Sequence, residues 1–146
     1  MKMRFLRNME GKIDRNYMIA EDGFYMRNKI TGKKLDGIYI HQEYRMISIT
    51  ICGKYYHQIK VCYLQWLAWK GIIPKGYVIH HKEFSNDKEK NRKLKLNDDI
   101  NNLDSLSKGE HRRKHSFGKN HSFFGKHHSE ETLKKLKKNA LNVLLT

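Results

Sequence analysis

The sequence predicts an α+β protein: a small hairpin-and-helix module, then a compact strand–loop–strand–helix core, then an extended basic arm that ends in a short helix. Three observations carry this. Residues 47–51 (Ile-Ser-Ile-Thr-Ile) alternate apolar and polar, the period of a half-buried strand. Val61, Leu64, Leu67 and Ala68 recur at helical spacing, as on an amphipathic helix. Ser107 is followed three residues later by Glu110, the pairing that closes a capping box at a helix start.

Taken in order, an early strand is expected over Tyr17–Ile19 and Gly23–Met26, broken at Asp22-Gly23. Gly53-Lys54 supplies a turn after the alternating segment, and residues 55–61 partly alternate again, so a β-hairpin leads into the helix. Trp66 and Trp69 lie beside the apolar stripe and are expected to pack there. Gly71 to Gly76, with the sole proline at Pro74, closes this zone. Tyr77-Val78-Ile79 then suits a short buried strand, and the charge-dense residues 86–99 suit an exposed loop. Ile100 and Leu103 flank two asparagines and read as a second short strand. A helix begins at Ser107 and runs through His111 and His115. Beyond it the chain is rich in Gly, Lys, Asn and His until a partial cap at Ser129 and Thr132 opens a last helix striped by Leu133, Leu136, Ala140 and Leu144. The expected boundaries are residues 15–72, 73–116 and 117–146.

Charge narrows the partner. The 146 residues carry a formal charge of +15, spread as +8 over residues 1–80 and +7 over residues 81–146. A positive surface along the whole chain favours a polyanion such as nucleic acid. A membrane role is not expected, because no run of about eighteen apolar residues is present and the first fifteen residues lack a signal-type apolar stretch. The expected address is cytoplasmic. Cys52 and Cys62, ten positions apart, fit neither a zinc-type pair nor a disulfide framework and read as small core residues in a reducing compartment.

The chemistry concentrates in the middle zone. His80 and His81 are adjacent at a strand end, where side chains alternate, so they face opposite ways and cannot share one role. His111 and His115 are four apart on one helix face and can reach one cation. The hairpin and helix can bring His80 to that face, which leaves one unligated histidine beside a metal. Phosphodiester hydrolysis needs that combination: an imidazole to deprotonate water and a cation to stabilise the charge that builds on phosphate. A closed structural zinc site would want a fourth ligand, commonly Cys, and the sequence offers none nearby.

The segment Tyr77-Val-Ile-His80-His81-Lys-Glu, followed by Asn101-Asn102-Leu103 and Glu110-His111-Arg-Arg-Lys-His115, resembles the HNH (ββα-metal) endonuclease family, of phage and homing type. The resemblance implies His81 as general base and Asn102 as the residue that orients it. It implies His80 and His111 as metal ligands, with His115 a third histidine found in some members. The cation is one divalent ion, with Mg²⁺, Mn²⁺, Zn²⁺ and Ni²⁺ all open. The gap from His81 to Asn102 exceeds the compact family pattern, and residues 86–97 read as the insertion. Residues 15–70 are similar to hairpin-and-helix modules that precede the motif in phage members.

Residues 118–133 resemble the modular DNA-binding repeats that follow homing endonuclease domains, and His115-Ser-Phe-Gly-Lys119 is echoed by His121-Ser-Phe-Phe-Gly-Lys126. Double-stranded DNA is the implied partner, contacted by Arg112, Arg113, Lys114, Lys119, Asn120 and Lys126. Two other readings stay open from sequence: a catalytically inactive DNA-binding protein of this fold, and an RNA-directed nuclease.

Overall fold

The structure is a computed structural model that describes residues 1–83, 87–116 and 129–145. Strands β1 (Met3–Arg7), β2 (Ile13–Ala20) and β3 (Met26–Asn28) form one antiparallel sheet in that order. Strands β4 (Tyr39–His41), β5 (Tyr44–Ile51) and β6 (Lys54–Lys60) form a second. Helix α1 (Val61–Trp69) follows without a break. Strand β7 (Tyr77–His81) pairs antiparallel with β8 (Leu103–Ser107), and helices α2 (Lys88–Leu94), α3 (Lys108–Ser116) and α4 (Glu130–Leu145) complete the described elements. The chain divides into two compact units, Met1–His111 and Arg112–Thr146. No helix among the described residues is long and apolar enough to cross a membrane.

The expected hairpin is present, with its turn one residue earlier than the Gly53-Lys54 reading. Cys52 (φ 51°) and Gly53 (φ 78°) are both left-handed, the backbone of a two-residue turn whose twist matches the strands it joins. Asp14 on β2 fastens that turn by accepting the Cys52 backbone N–H at 2.8 Å. Cys52 therefore sits half-buried at a turn, packed against the edge of the first core cluster, whereas Cys62 is fully buried. Neither is in a disulfide.

Helix α1 departs from the amphipathic expectation. Val61, Leu64 and Ala68 join Leu6, Ile19, Met26, Ile47, Ile49 and Ile51 in one core cluster, while Cys62 joins Ile79, Ile100 and Leu103 in another. Trp66 and Trp69 pack as expected, and Trp69 touches both clusters. A helix apolar nearly all round is a helix covered on several sides, and α1 is the member both clusters share. Even Gln65 is buried. Its amide donates to the Ala20 carbonyl at 3.1 Å and the Glu21 carbonyl at 2.7 Å, satisfying the end of β2.

The turn from β2 to β3 contains Gly23, with φ 71°. A Cβ there would stand 2.6 Å from the Asp98 carbonyl oxygen and 2.9 Å from the Asp98 Cβ. Gly23→Ala combines that clash with a left-handed backbone, so a loss of ~2 kcal/mol or more in unfolding free energy is expected by denaturant titration. A stability equal to the parent would show that the two loops can separate at little cost.

Residues 86–99, expected as a loop, contain helix α2. Asp87 caps it by accepting the Lys90 N–H at 2.9 Å, Glu89 lies in its first turn, and Arg92 and Lys93 lie in its last. These charges complement the helix dipole. The helix buries no residue, so it leaves no apolar period for a sequence reading to find. On its exposed side Arg92 and Lys95 both grip Glu43, at 2.8 and 2.9 Å, which holds the Glu43 carboxyl below its usual range through the hydrogen bond from Lys95 and then that from Arg92.

Candidate metal and nuclease site

Strand β7 ends in the histidine pair, and its last three residues, Ile79, His80 and His81, are all buried. In the β7–β8 ladder His80 lies opposite Asp104, and His81 opposite Leu103. The alternation expected from a strand holds: the two imidazoles have different neighbours. His80 meets His111 edge-on, with ring centroids 5.2 Å apart. His81 sits 6.0 Å from the Tyr44 ring and is bonded to Asp98.

His111 is set by helix α3, whose start follows the anticipated capping box. The Glu110 N–H donates to Ser107 Oγ at 3.2 Å, and the Ser107 N–H donates to Glu110 Oε2 at 3.0 Å. His115 follows one turn later on the same helix, hence on the same face. The ligand nitrogens of His80, His111 and His115 lie within 4.8 Å of one another, a spacing a single metal ion can bridge. Burial, with a smaller contribution from the Lys60 charge, pushes the His111 imidazole below its ordinary value. The shift favours the neutral form that ligates a metal. The donor set fits a divalent cation, and an all-imidazole set suits Zn²⁺ or Ni²⁺ better than oxygen-seeking Mg²⁺.

The surroundings of His81 differ from the sequence expectation. Asn102 was expected on a strand, orienting this ring. It lies instead in a 3-10 turn (Ile100–Asn102) capped by Asp99, whose carboxylate accepts the Asn101 N–H at 2.9 Å. The Asn102 amide spans two segments: its oxygen accepts the Glu83 N–H at 3.2 Å, and its nitrogen donates to the Asn97 carbonyl at 2.8 Å. The Asn102 backbone carbonyl also accepts the Lys82 N–H at 2.8 Å. Asn102 thus bonds the chain that leaves His81, and the ring itself is bonded to a different residue.

That residue is Asp98, 2% exposed. Its Oδ1 lies 2.8 Å from His81 Nε2, and its Oδ2 accepts Arg45 Nη1 at 3.1 Å. Asp98 escaped the sequence reading because it falls in a polar run with no spacing signature. Its one mark is its place two residues before the apolar Ile100 that starts the returning segment. Cys62, His81 and Asp98 also lie close enough to be considered as ligands. Burial, then the nearby Asp98 charge, drives the Cys62 thiol far above its usual value. Arg45 already neutralises the carboxylate, so this group is an ion pair beside a protonated thiol.

Arg112, Arg113 and Lys114 are exposed on α3. Lys119, Asn120 and Lys126 lie outside the described residues. Helix α4 begins at the partial cap, where the Thr132 N–H donates to Ser129 Oγ at 3.3 Å, and it carries Lys134, Lys135, Lys137 and Lys138 exposed. Glu131 pairs with Lys135 at 3.1 Å, a surface i,i+4 bridge of small energetic weight.

Residues 113–137 match the NUMOD3 motif. No curated protein sequence matches the chain. Among solved structures the chain is similar to the HNH homing endonuclease I-HmuI, from a study of its DNA binding and cleavage, with a TM-score of 0.52 and 19% identity. The alignment covers 95% of this chain and 68% of that one. The chain shares its α+β fold with an HNH homing endonuclease.

Proposed function

We propose that the protein is a metal-dependent endonuclease of HNH type that hydrolyses phosphodiester bonds in double-stranded DNA. The observation that supports this most is the grouping of His80, near the end of β7, with His111 and His115 of α3, and with His81 next to His80 on the same strand. The fold shared with I-HmuI, a DNA-cleaving enzyme, the NUMOD3 motif and the charge of +15 agree with it.

His80 and His111, with His115 at the edge, would hold the cation. A divalent ion held there would supply positive charge to offset the negative charge that builds on the phosphate. His81 takes the proton of the attacking water. Its Nε2 is engaged by Asp98, so the transfer runs through Nδ1. The new hydroxide attacks phosphorus as the bond to the leaving ester oxygen breaks, and that oxygen takes a proton from solvent to depart as the alcohol. Asn102 keeps the strand end in place by tying residues 82, 83 and 97 together. Arg112, Arg113 and Lys114 offer cations to the phosphate backbone, as Lys119, Asn120 and Lys126 do in the arm.

Calorimetric titration with Zn²⁺, Ni²⁺, Mn²⁺ and Mg²⁺ tests the ligand assignment. His80→Ala and His111→Ala should each weaken the tightest-binding ion by more than the ~10–100-fold that loss of an outer partner costs. His115→Ala should be milder. Unchanged affinity in both of the first two variants removes them from the metal. A parallel assay on a structured RNA addresses the substrate: cleavage of RNA in preference to duplex DNA contradicts the DNA assignment.

A further inference from the structure

We infer that Asp98 is the positioning residue for His81, and that Arg45, reaching from β5, holds Asp98 in that task. The inference deepens the proposed function and rests on His81 being its general base.

All three groups are buried, with Arg45 9%, Asp98 2% and His81 5% exposed. A carboxylate brought this far from water is costly unless its lone pairs are used. Among the described residues Arg45 supplies the neutralising charge, and it takes Oδ2. The second oxygen is committed to His81 Nε2 at 2.8 Å, in a chain segment 17 residues away. A carboxylate at this nitrogen selects the tautomer with the proton on Nε2, leaving Nδ1 as the basic nitrogen, and it fixes the plane of the ring.

The carboxylate is itself held from two sides. The same guanidinium nitrogen that meets Asp98 donates to the Gly23 carbonyl at 2.7 Å, and the Arg45 guanidinium lies 4.5 Å over the Phe24 ring. Gly23 packs so closely on Asp98 that no Cβ fits between them. Beside it, the Ile100 N–H donates to the Glu21 carbonyl at 3.1 Å. The β2–β3 turn and β5, both in the N-terminal sheets, therefore set the carboxylate that sets the histidine. Through this contact the module that precedes the histidine hairpin contributes to the reaction without touching substrate.

The test uses the full chain with Mn²⁺ and supercoiled plasmid, at protein excess so that the rate of one turnover reports the chemical step. Asp98→Asn should slow cleavage on the order of 10²-fold, with plasmid and Mn²⁺ affinities unchanged. The double variant His81→Ala/Asp98→Asn should be no slower than His81→Ala alone, because Asp98 acts only through the ring. A purely structural Asp98 would add its own loss in the double variant and overturn the inference, as would a near-parental rate for Asp98→Asn. A second readout does not need cleavage or a variant that folds. The long-range ¹H–¹⁵N spectrum of the metal-free parent chain should show the His81 imidazole protonated on Nε2 in its neutral form. Protonation on Nδ1 overturns the inference even if the protein cuts DNA. An Nε2-protonated ring in a chain that cuts no nucleic acid retires the nuclease reading and leaves the Asp98–His81 pairing standing.

Discussion

Replacing His81 by Ala is expected to reduce DNA cleavage by ~10²–10⁴-fold while leaving metal and DNA affinity close to the parent. The size follows from the loss of a positioned base. The selectivity follows from geometry, since the ring lies outside the His80, His111 and His115 group and is bonded to Asp98. Deleting a buried ring also has a stability cost, but Asp98 keeps Arg45 as its partner, so no bare carboxylate is left. Thermal melting of the variant, run beside single-turnover cleavage and metal titration, separates the two effects. A variant that melts like a folded protein, binds metal and still cuts at the parental rate would show that another group activates the water.

Truncation after Ser116 is expected to flatten the dependence of log affinity on log salt by ~3–4 units, while cleavage survives on concentrated substrate. The removed residues 117–146 hold six lysines, Lys119, Lys126, Lys134, Lys135, Lys137 and Lys138, against Glu130 and Glu131, a net charge of +4. If about four of these meet phosphates, each released counterion adds roughly 0.9 to the slope. The NUMOD3 match over residues 113–137 covers most of this segment, and four of the lysines stand exposed on α4. The proposed site histidines, His80, His81, His111 and His115, all lie upstream of the cut. Binding measured by fluorescence anisotropy across a salt series checks this. Equal affinity and equal slope with and without the arm would remove it from the DNA interface.

The parts legible in the sequence are those whose cause is local. The β5–β6 hairpin declares itself because alternation and a turn lie within a few residues of each other, and helix α3 because Ser107 and Glu110 close its cap on themselves. The separation of His80 from His81 follows from strand pleating alone. The features that escaped depend on contacts distant in sequence or on the absence of apolar residues. Helix α2 is held by capping and charge, with nothing buried to mark it. The two-sided burial of α1 needs sheets contributed from both its N-terminal and C-terminal neighbours. Asp98 meets His81 across 17 residues and Arg45 across 53. The Asn102 amide bonds Glu83 and Asn97, in the chain beyond the strand end, and the bond between the His81 ring and Asp98 spans residues that no local pattern links.

If this chain cuts duplex DNA with a metal held by the histidine group, removing and restoring that metal must switch cleavage off and on. Supercoiled plasmid is incubated with the full chain stripped by EDTA, and again after Mn²⁺ or Zn²⁺ is restored, with His111→Ala in parallel. Intact plasmid is expected without metal, nicked or linear product on restoration, and strongly reduced product with His111→Ala at the same metal concentration. Plasmid left supercoiled by the parent chain under every metal, or cut equally well in EDTA, would contradict it.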